Sequence, residues 1–509
     1  MTEGFATQFT AHSVAATEVI AQRLSLWVKP GYVVALQGDL GAGKSIFARA
    51  FIRAVASDAK LEVPSPTFSL LQNYDELRVP LAHTDLYRLT SAGDAQELGL
   101  TDLVMSHGVL IEWPERLAGM VLSPHVLEVA LSGQGETRVI DISATGGWVG
   151  AVTRDAALQE FLLASPYKNH VRQFLLGDAS SRRYETVTAG NDMALLMDMP
   201  GRPDGPPVRH GKHYSALARL ADNIESVVAI NRHLHALGYS APVVHASDLD
   251  NGFAVMDWLE GEVHGDMMRR GDDMTEPMLA AVDVLADMAQ RTWPKVVEAG
   301  PGRLHRIPDF DLDALLIEAD LMPSWFWPQL HGADAPQPVH DSFENEWRKL
   351  LPLVFDGPTM WVLRDFHSPN LIWMPQRRGL QRTGLIDTQD AVMGHGAYDL
   401  ASLLQDARVD VDDVMQDKLF AAYLLRRHSA GGFDAVEFSR SYAILGAQRA
   451  SRLLGTFTRL SKRDGKHQYL KHRPRVARYL VRNLSHPDLA SLRRWYETHA
   501  PQALALART

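Results

Sequence analysis

A chain of 509 residues exceeds what one hydrophobic core usually organises, so two or three domains are expected. Its 46% hydrophobic and 22% charged residues fit a globular protein in water, and no stretch approaches the roughly 20 apolar residues of a membrane span. Zero cysteines exclude disulfides, thiolate metal sites and cysteine nucleophiles, and a net charge of -10 gives no global attraction for nucleic acid.

Met1 to Thr10 carry no base and no sustained apolar run, so no secretory signal is read there and a cytoplasmic location is expected. Strand signals follow at Val33 to Gln37, near Leu81 to Asp85, at Val109 to Glu112 and around Val126 to Leu131, mixed with helical stretches. That alternation predicts an α/β domain. The first strand runs into Gly38-Asp39-Leu40-Gly41-Ala42-Gly43-Lys44-Ser45 and then a helical run, Ile46 to Val55, which is the GxxxxGKS pattern in a strand-loop-helix setting. Its glycines let backbone N–H groups face phosphate oxygens, Lys44 reaches the β and γ phosphates, and the Ser45 hydroxyl suits Mg²⁺. The start of the helix adds its dipole to the same attraction. Asp85 and Glu112 each end a strand, and Glu112 there can face the phosphates and orient water or metal.

Around Ala144 to Val152 the pattern breaks at three glycines, and a helical pattern resumes from Arg154 to Leu163. The domains are therefore expected at 1–152 and 153–509. The second opens with strand-like segments near Tyr184 to Val187 and Met193 to Met197, then alternates long helices with short strands, as a small sheet lobe joined to a helical lobe. Its strongest signal is Val362-Leu363-Arg364-Asp365-Phe366-His367-Ser368-Pro369-Asn370-Leu371-Ile372, followed by Gly384-Leu385-Ile386-Asp387. Kinase-like phosphotransferases need a carboxylate at the acceptor hydroxyl and two oxygen ligands for magnesium, and Asp365, Asn370 and Asp387 supply that set. His367 either touches substrate or packs the loop. Trp325-Phe326-Trp327 either stacks a sugar or fills the core, while Asp390 and Asp399 are expected to be structural. From Arg440 onward fifteen Lys or Arg face three acids, a solvated helical face or an attraction for an anionic ligand.

Further motifs carry family resemblances. The P-loop, Val63-Pro64-Ser65-Pro66-Thr67-Phe68, Tyr74, His83-Thr84-Asp85-Leu86-Tyr87-Arg88-Leu89, Glu97-Leu98-Gly99 and Ile111-Glu112-Trp113-Pro114-Glu115 together resemble TsaE, the ATPase of bacterial tRNA threonylcarbamoyladenosine synthesis, over about residues 10 to 150. The resemblance implies that Lys44 and Ser45 bind nucleotide and metal, that Thr67 lies in a nucleotide-responsive loop, that Asp85 helps hold Mg²⁺ and that Glu112 and Trp113 belong to the active site. It also implies docking on threonylcarbamoyl-transferase (TsaD/TsaB-like) subunits, with tRNA met only indirectly.

The second module resembles the aminoglycoside phosphotransferase and choline kinase superfamily, a protein-kinase-like α+β fold. Within it, Leu176-Gly177-Asp178-Ala179-Ser180-Ser181-Arg182-Arg183-Tyr184, Ile386-Asp387-Thr388-Gln389-Asp390-Ala391, Gln448-Arg449-Ala450 and Phe457-Thr458-Arg459-Leu460 resemble AmgK, the anomeric kinases for N-acetylmuramate and N-acetylglucosamine in cell-wall recycling. By that resemblance Asp365 is the catalytic base or hydroxyl-orienting acid, and Asn370 and Asp387 hold magnesium; the basic tail, through Arg449, Arg452 and Arg459, separately offers partners for an acidic substituent such as the carboxylate of N-acetylmuramate. Two departures stand out: Leu363 replaces the histidine of an HxD motif, and Met193 to Met197 carries no ATP lysine. Either nucleotide binding then relies on the loop from Gly177 to Arg183, with Asp178 and Ser180 as ligands, or the module is weakly active and that loop is a solvent-exposed polar turn. The alternatives are a noncatalytic nucleotide-binding scaffold or a kinase for another small hydroxylated metabolite.

Overall fold

The computed structural model describes residues 4–89, 96–168, 171–175, 182–201 and 205–508. They form two compact units, Met1–Asp198 and Met199–Thr509. No helix among them is long and apolar enough to cross a membrane.

The first unit is built on a seven-stranded sheet of β1 (Phe5–Ala11), β2 (Val33–Gln37), β3 (Leu71–Tyr74), β4 (Leu81–Asp85), β5 (Gly108–Glu112), β6 (Val126–Ser132) and β7 (Arg138–Ala144), in the order β1-β7-β6-β2-β5-β4-β3. The four central strands run parallel, and β2, β4 and β5 are almost wholly buried, β2 and β5 as largely apolar runs and β4 with His83, Thr84 and Asp85 buried among them. On one face Val34, Leu36 and Leu110 pack with Phe47 and Phe51 of helix α2 (Lys44–Ala56). On the other, Val33, Val109 and Ile111 pack with Leu86 and Leu100. Helix α1 (Val14–Ser25) starts at Ser13, whose hydroxyl accepts from the Ala16 N–H. The sequence pattern does not single out β1, β3 or β7. All three pair antiparallel, and β1 buries only alternate residues, which weakens the apolar signal of a strand.

The glycines near residue 147 are a turn rather than a linker. A Cβ on Gly146 would lie 2.4 Å from the Pro124 carbonyl oxygen, and one on Gly147 would lie 2.1 Å from the Tyr32 hydroxyl. The chain turns there into a helix, Gly147–Leu163, that runs without a break through 152/153, with Trp148 and Val152 buried in the same core as Phe47 and Phe51. Further on, Asp155 is buried and accepts from Arg23 at 2.6 Å, Trp27 at 3.2 Å and Arg172 at 2.8 Å. Arg172, on the strand Val171–Leu175, also holds Glu185 at 2.7 and 3.1 Å. This network explains why the compact unit continues past 152 to Asp198 and includes the antiparallel strands Val171–Leu175, Arg183–Ala189 and Asp192–Asp198.

The second unit is mainly helical and is crossed by one 30-residue helix, Ala435–Asp464, whose buried face includes Leu445, Leu454 and Phe457. Strand Thr359–Val362 pairs antiparallel with Val392–His395. The segment after it makes a short helical turn at Ser368–Asn370 and returns as the hairpin Leu371–Trp373 and Thr383–Leu385, paired Leu371 to Leu385. Phe326 and Trp327 lie in the helical core, with Trp327 stacked on His331, so these two aromatics take the core-filling role.

Candidate active sites

In the first unit three strands end together. β2 runs into the P-loop, and parallel registry sets Asp85 beside Glu112 and Glu112 beside Leu36. Ligands of open α/β sheets bind at this carboxyl edge. The P-loop turn depends on glycine at position 38, where φ is 138° and a Cβ would sit 2.3 Å from the Leu131 carbonyl oxygen. Lys44 Nζ donates to the carbonyls of Gly38 at 2.6 Å and Asp39 at 2.9 Å, and lies 3.8 Å from the centre of the Trp113 ring. Burial lowers the pKa of this ammonium, against the opposing pull of Glu112, Glu115, Asp85 and Asp39.

Glu112 is buried, accepting from the Ser45 hydroxyl at 2.9 Å on one oxygen and standing 3.0 Å from His83 Nε2 on the other. Asp85 accepts from the Thr67 hydroxyl at 3.0 Å and from the Tyr87 N–H at 3.0 Å. Lys44, Ser45, Thr67, Asp85, Glu112 and Trp113 are thus brought together with the loop Gly38, Asp39, Leu40, Gly41, Ala42 and Gly43, of which Leu40 is strongly exposed. Two residues escape sequence reasoning. His83 sits within a quoted motif and faces Glu112. Arg138, at the start of β7, donates from Nε to the Ala42 carbonyl at 2.7 Å and from Nη2 to the Gly41 carbonyl at 3.3 Å. It holds those carbonyls on the sheet side of the loop, and only the fold brings it across 96 residues.

In the second unit the hairpin registry carries Asn370 and Asp387 to the same end, joined by Ile386 N–H donating to the Asn370 carbonyl at 3.1 Å. Asn370 Nδ2 donates to the Asp365 carbonyl at 3.0 Å, and Gln389 Nε2 donates to the Asp387 carboxylate at 2.9 Å. Arg364 and Asp387 both have positive φ, 66° and 59°, a strain that other contacts must hold. Asp399, fully buried, does so by accepting from Leu363 N at 2.6 Å and Arg364 N at 2.9 Å, while the Ser402 hydroxyl donates to the Arg364 carbonyl at 2.9 Å. Burial pushes Asp399 up to about 7, against those two N–H groups. The expected structural role of Asp399 is seen in these bonds, and they hold the loop in which Leu363 stands for the usual histidine.

Arg364 itself is buried, paired with Glu318 and donating to the Ala218 and Arg219 carbonyls. Burial acts to raise the Asp365 carboxyl, but His367, Arg452, Arg364 and Arg449 hold it below the ordinary carboxylate value. His367 Nε2 lies 3.7 Å from Asp365. Strand Asp192–Asp198 contains no lysine, as its sequence requires. Asp178 and Ser180, assigned to nucleotide, lie outside the described residues. Much of the basic tail is paired on the surface: Arg475 and Arg478 hold Asp410, and Arg482 holds Asp413 and Asp417.

These two arrangements define a P-loop nucleotide phosphatase domain and a kinase-like phosphotransferase domain in one chain. Comparison with known proteins agrees. Residues 11–140 match the family model of the threonylcarbamoyl adenosine biosynthesis protein TsaE, and residues 171–438 match that of the phosphotransferase enzyme family. An N-acetylmuramate/N-acetylglucosamine kinase of Caulobacter vibrioides is 34% identical over 357 residues, 68% of this chain and 97% of that protein. A kinase of the same description from Pseudomonas aeruginosa is 28% identical over 327 residues, 62% of this chain and 84% of its own. The tRNA threonylcarbamoyladenosine biosynthesis protein TsaE of Rickettsia felis is 35% identical over 150 residues, 30% of this chain and 83% of that protein. The chain belongs to the TsaE family through its N-terminal part and to the phosphotransferase enzyme family through the rest, and it uses ATP in both.

Proposed function

We propose that this is a bifunctional enzyme whose N-terminal ATPase serves tRNA threonylcarbamoylation and whose C-terminal domain transfers the γ-phosphoryl group of ATP to N-acetylmuramate or N-acetylglucosamine at the anomeric hydroxyl, in the cytoplasm. The observation that carries the kinase reading is that Asp365 and Asn370, on one multiply held loop, are tied through the Asn370 carbonyl to the segment that carries Asp387. Asp365 receives the acceptor hydroxyl, aligning it and taking its proton late in transfer, because a carboxylate held below its ordinary value is a weak base.

The donor sets fit Mg²⁺. Asn370 and Asp387 in one site, and the Ser45 hydroxyl with Asp85 in the other, are hard oxygen donors too few to cage an ion alone, as suits magnesium shared with phosphates. Among the described residues no group of three His, Cys, Asp or Glu is arranged to hold a metal. The ion would screen phosphate charge. In the ATPase, Lys44 and the loop from Gly38 to Ser45 bind the phosphates, Glu112 orients water, and Thr67 and Trp113 line the nucleotide. Phe68 and Leu40, both strongly exposed beside that site, support docking on TsaD/TsaB-like subunits rather than on tRNA directly. Asp178 and Ser180 remain the proposed nucleotide ligands of the kinase.

The test uses one preparation and two crossed variants. Asp365→Asn is expected to abolish sugar phosphate formation and spare ATP hydrolysis with the partner subunits; Lys44→Ala is expected to do the reverse. A variant that removes both activities while remaining folded would contradict two separate active sites.

A further inference from the structure

Arg449 lies midway along the helix Ala435–Asp464 and is 3% exposed. Its Nη1 donates to the Gln405 carbonyl at 3.0 Å, its Nε has no hydrogen-bond partner, and it forms no ion pair among the described residues. A buried guanidinium without a counter-ion is costly, and such an exception to hydrogen-bond satisfaction marks a place where a ligand belongs. Burial lowers its pKa, and among the charges that resist this are Asp406 and the catalytic carboxylate Asp365. The Gln405 carbonyl that Arg449 holds directly precedes Asp406, whose carboxylate accepts from the Ser368 N–H at 2.8 Å, so Arg449 adjoins the loop that carries Asp365.

The neighbouring arginines are already engaged. Arg452 holds Glu318, which also takes Arg364, and Arg459 lies 4.9 Å from the centre of the Tyr214 ring. The Nε of all three arginines named from the sequence lacks a hydrogen-bond partner, but Arg452 has its ion pair and Arg459 its ring, whereas Arg449 has no counter-charge among the described residues. Other buried polar atoms there are also unmatched. His367 Nδ1 has no partner, and His264, fully buried on the helix His264–Arg270 packed against Ser368–Asn370, has none on either ring nitrogen.

We propose that Arg449 reads a carboxylate on the phosphoryl acceptor, giving the enzyme its preference for an acidic amino sugar over the neutral one. This rests on the kinase reading above and deepens it. A planar guanidinium matches a carboxylate with two parallel hydrogen bonds. A neutral acceptor leaves the same donors buried and unmatched, which is how a polar site rejects an analogue lacking the group it was built for.

The experiment is a four-cornered kinetic comparison on the full chain. N-acetylmuramate and its methyl ester, whose carboxylate charge is removed, are tested with the unaltered protein and with Arg449→Met, and N-acetylglucosamine is run beside them. The unaltered protein is expected to prefer the acid to the ester by about thirtyfold or more in kcat/KM, and Arg449→Met to bring the two to near equality. Arg449→Lys, which keeps the charge without the fork, is expected to fall between. Equal use of acid and ester by the unaltered protein would overturn the proposal without any variant having to fold, as would an acid preference that survives in Arg449→Met. Product from neither sugar would remove the kinase reading and the proposal with it; product from both without acid preference removes only the proposal.

Discussion

Replacing Lys44 by alanine removes a cation that sits among Glu112, Glu115, Asp85 and Asp39 at the carboxyl edge of the sheet. The ammonium is held by two P-loop carbonyls at 2.6 and 2.9 Å and by the face of Trp113 at 3.8 Å, so its position is set before nucleotide arrives. A preorganised charge of this kind is worth about 2.7–4 kcal/mol in the transition state, or about 10²–10³ in rate. ATP turnover by the full chain, with the threonylcarbamoyl-transferase subunits supplied, is therefore expected to fall at least a hundredfold. Gly38, Asp39 and Trp113 are backbone or neutral partners, so the loss should not unfold the domain; sugar phosphorylation in the same sample checks this. A turnover within about threefold of the unaltered chain would refute the assignment of Lys44 to the transferring phosphate.

Two further expectations concern stability. Asp155→Ala strands Arg23 and Trp27 and leaves Arg172 with Glu185 alone, so breaking this buried network should destabilise the first unit by about 3–5 kcal/mol in urea unfolding. A loss under about 0.5 kcal/mol would show the network to be idle. Because its arginine partners hold the Asp155 carboxyl below its ordinary value despite burial, the stability it confers is present above that value and is lost as pH falls through the lowered one. Asp399 has the opposite sign. With its pKa raised from 3.8 to about 7, its contribution is full below the unfolded value and is lost as pH rises toward 7, a change of about 4 kcal/mol at most. Asp399→Asn should therefore gain stability relative to the unaltered chain between pH 4 and pH 7; parallel unfolding profiles would contradict the raised pKa.

Both candidate sites could be marked in the sequence because each has a core written in consecutive residues. The P-loop and Asp365 to Asn370 are local spacings that a turn must present together, and Val33 and Val109 begin apolar runs long enough to mark central strands. What stayed hidden depends on distance along the chain. Arg138 meets Ala42 only because β7 lies two strands from β2, and Asp399 meets Leu363 only after two strands and a turn have closed. The glycines at 146 and 147 read as a break between domains because sequence shows permissive residues, whereas their reason is close packing against Pro124 and Tyr32. The tail shows the same limit: its arginines look alike in sequence, but Arg475, Arg478 and Arg482 are spent on surface acids and Arg449 is buried against the Gln405 carbonyl.

The central claim, that the second domain is a phosphotransferase acting on an amino sugar through Asp365, is tested most directly by single-turnover transfer from γ-labelled ATP with magnesium to N-acetylmuramate and N-acetylglucosamine. The account predicts a labelled sugar phosphate with the phosphoryl group on the anomeric oxygen, lost by at least about a hundredfold in Asp365→Asn while that variant stays folded. No labelled sugar from either acceptor, or undiminished transfer by Asp365→Asn, would contradict it.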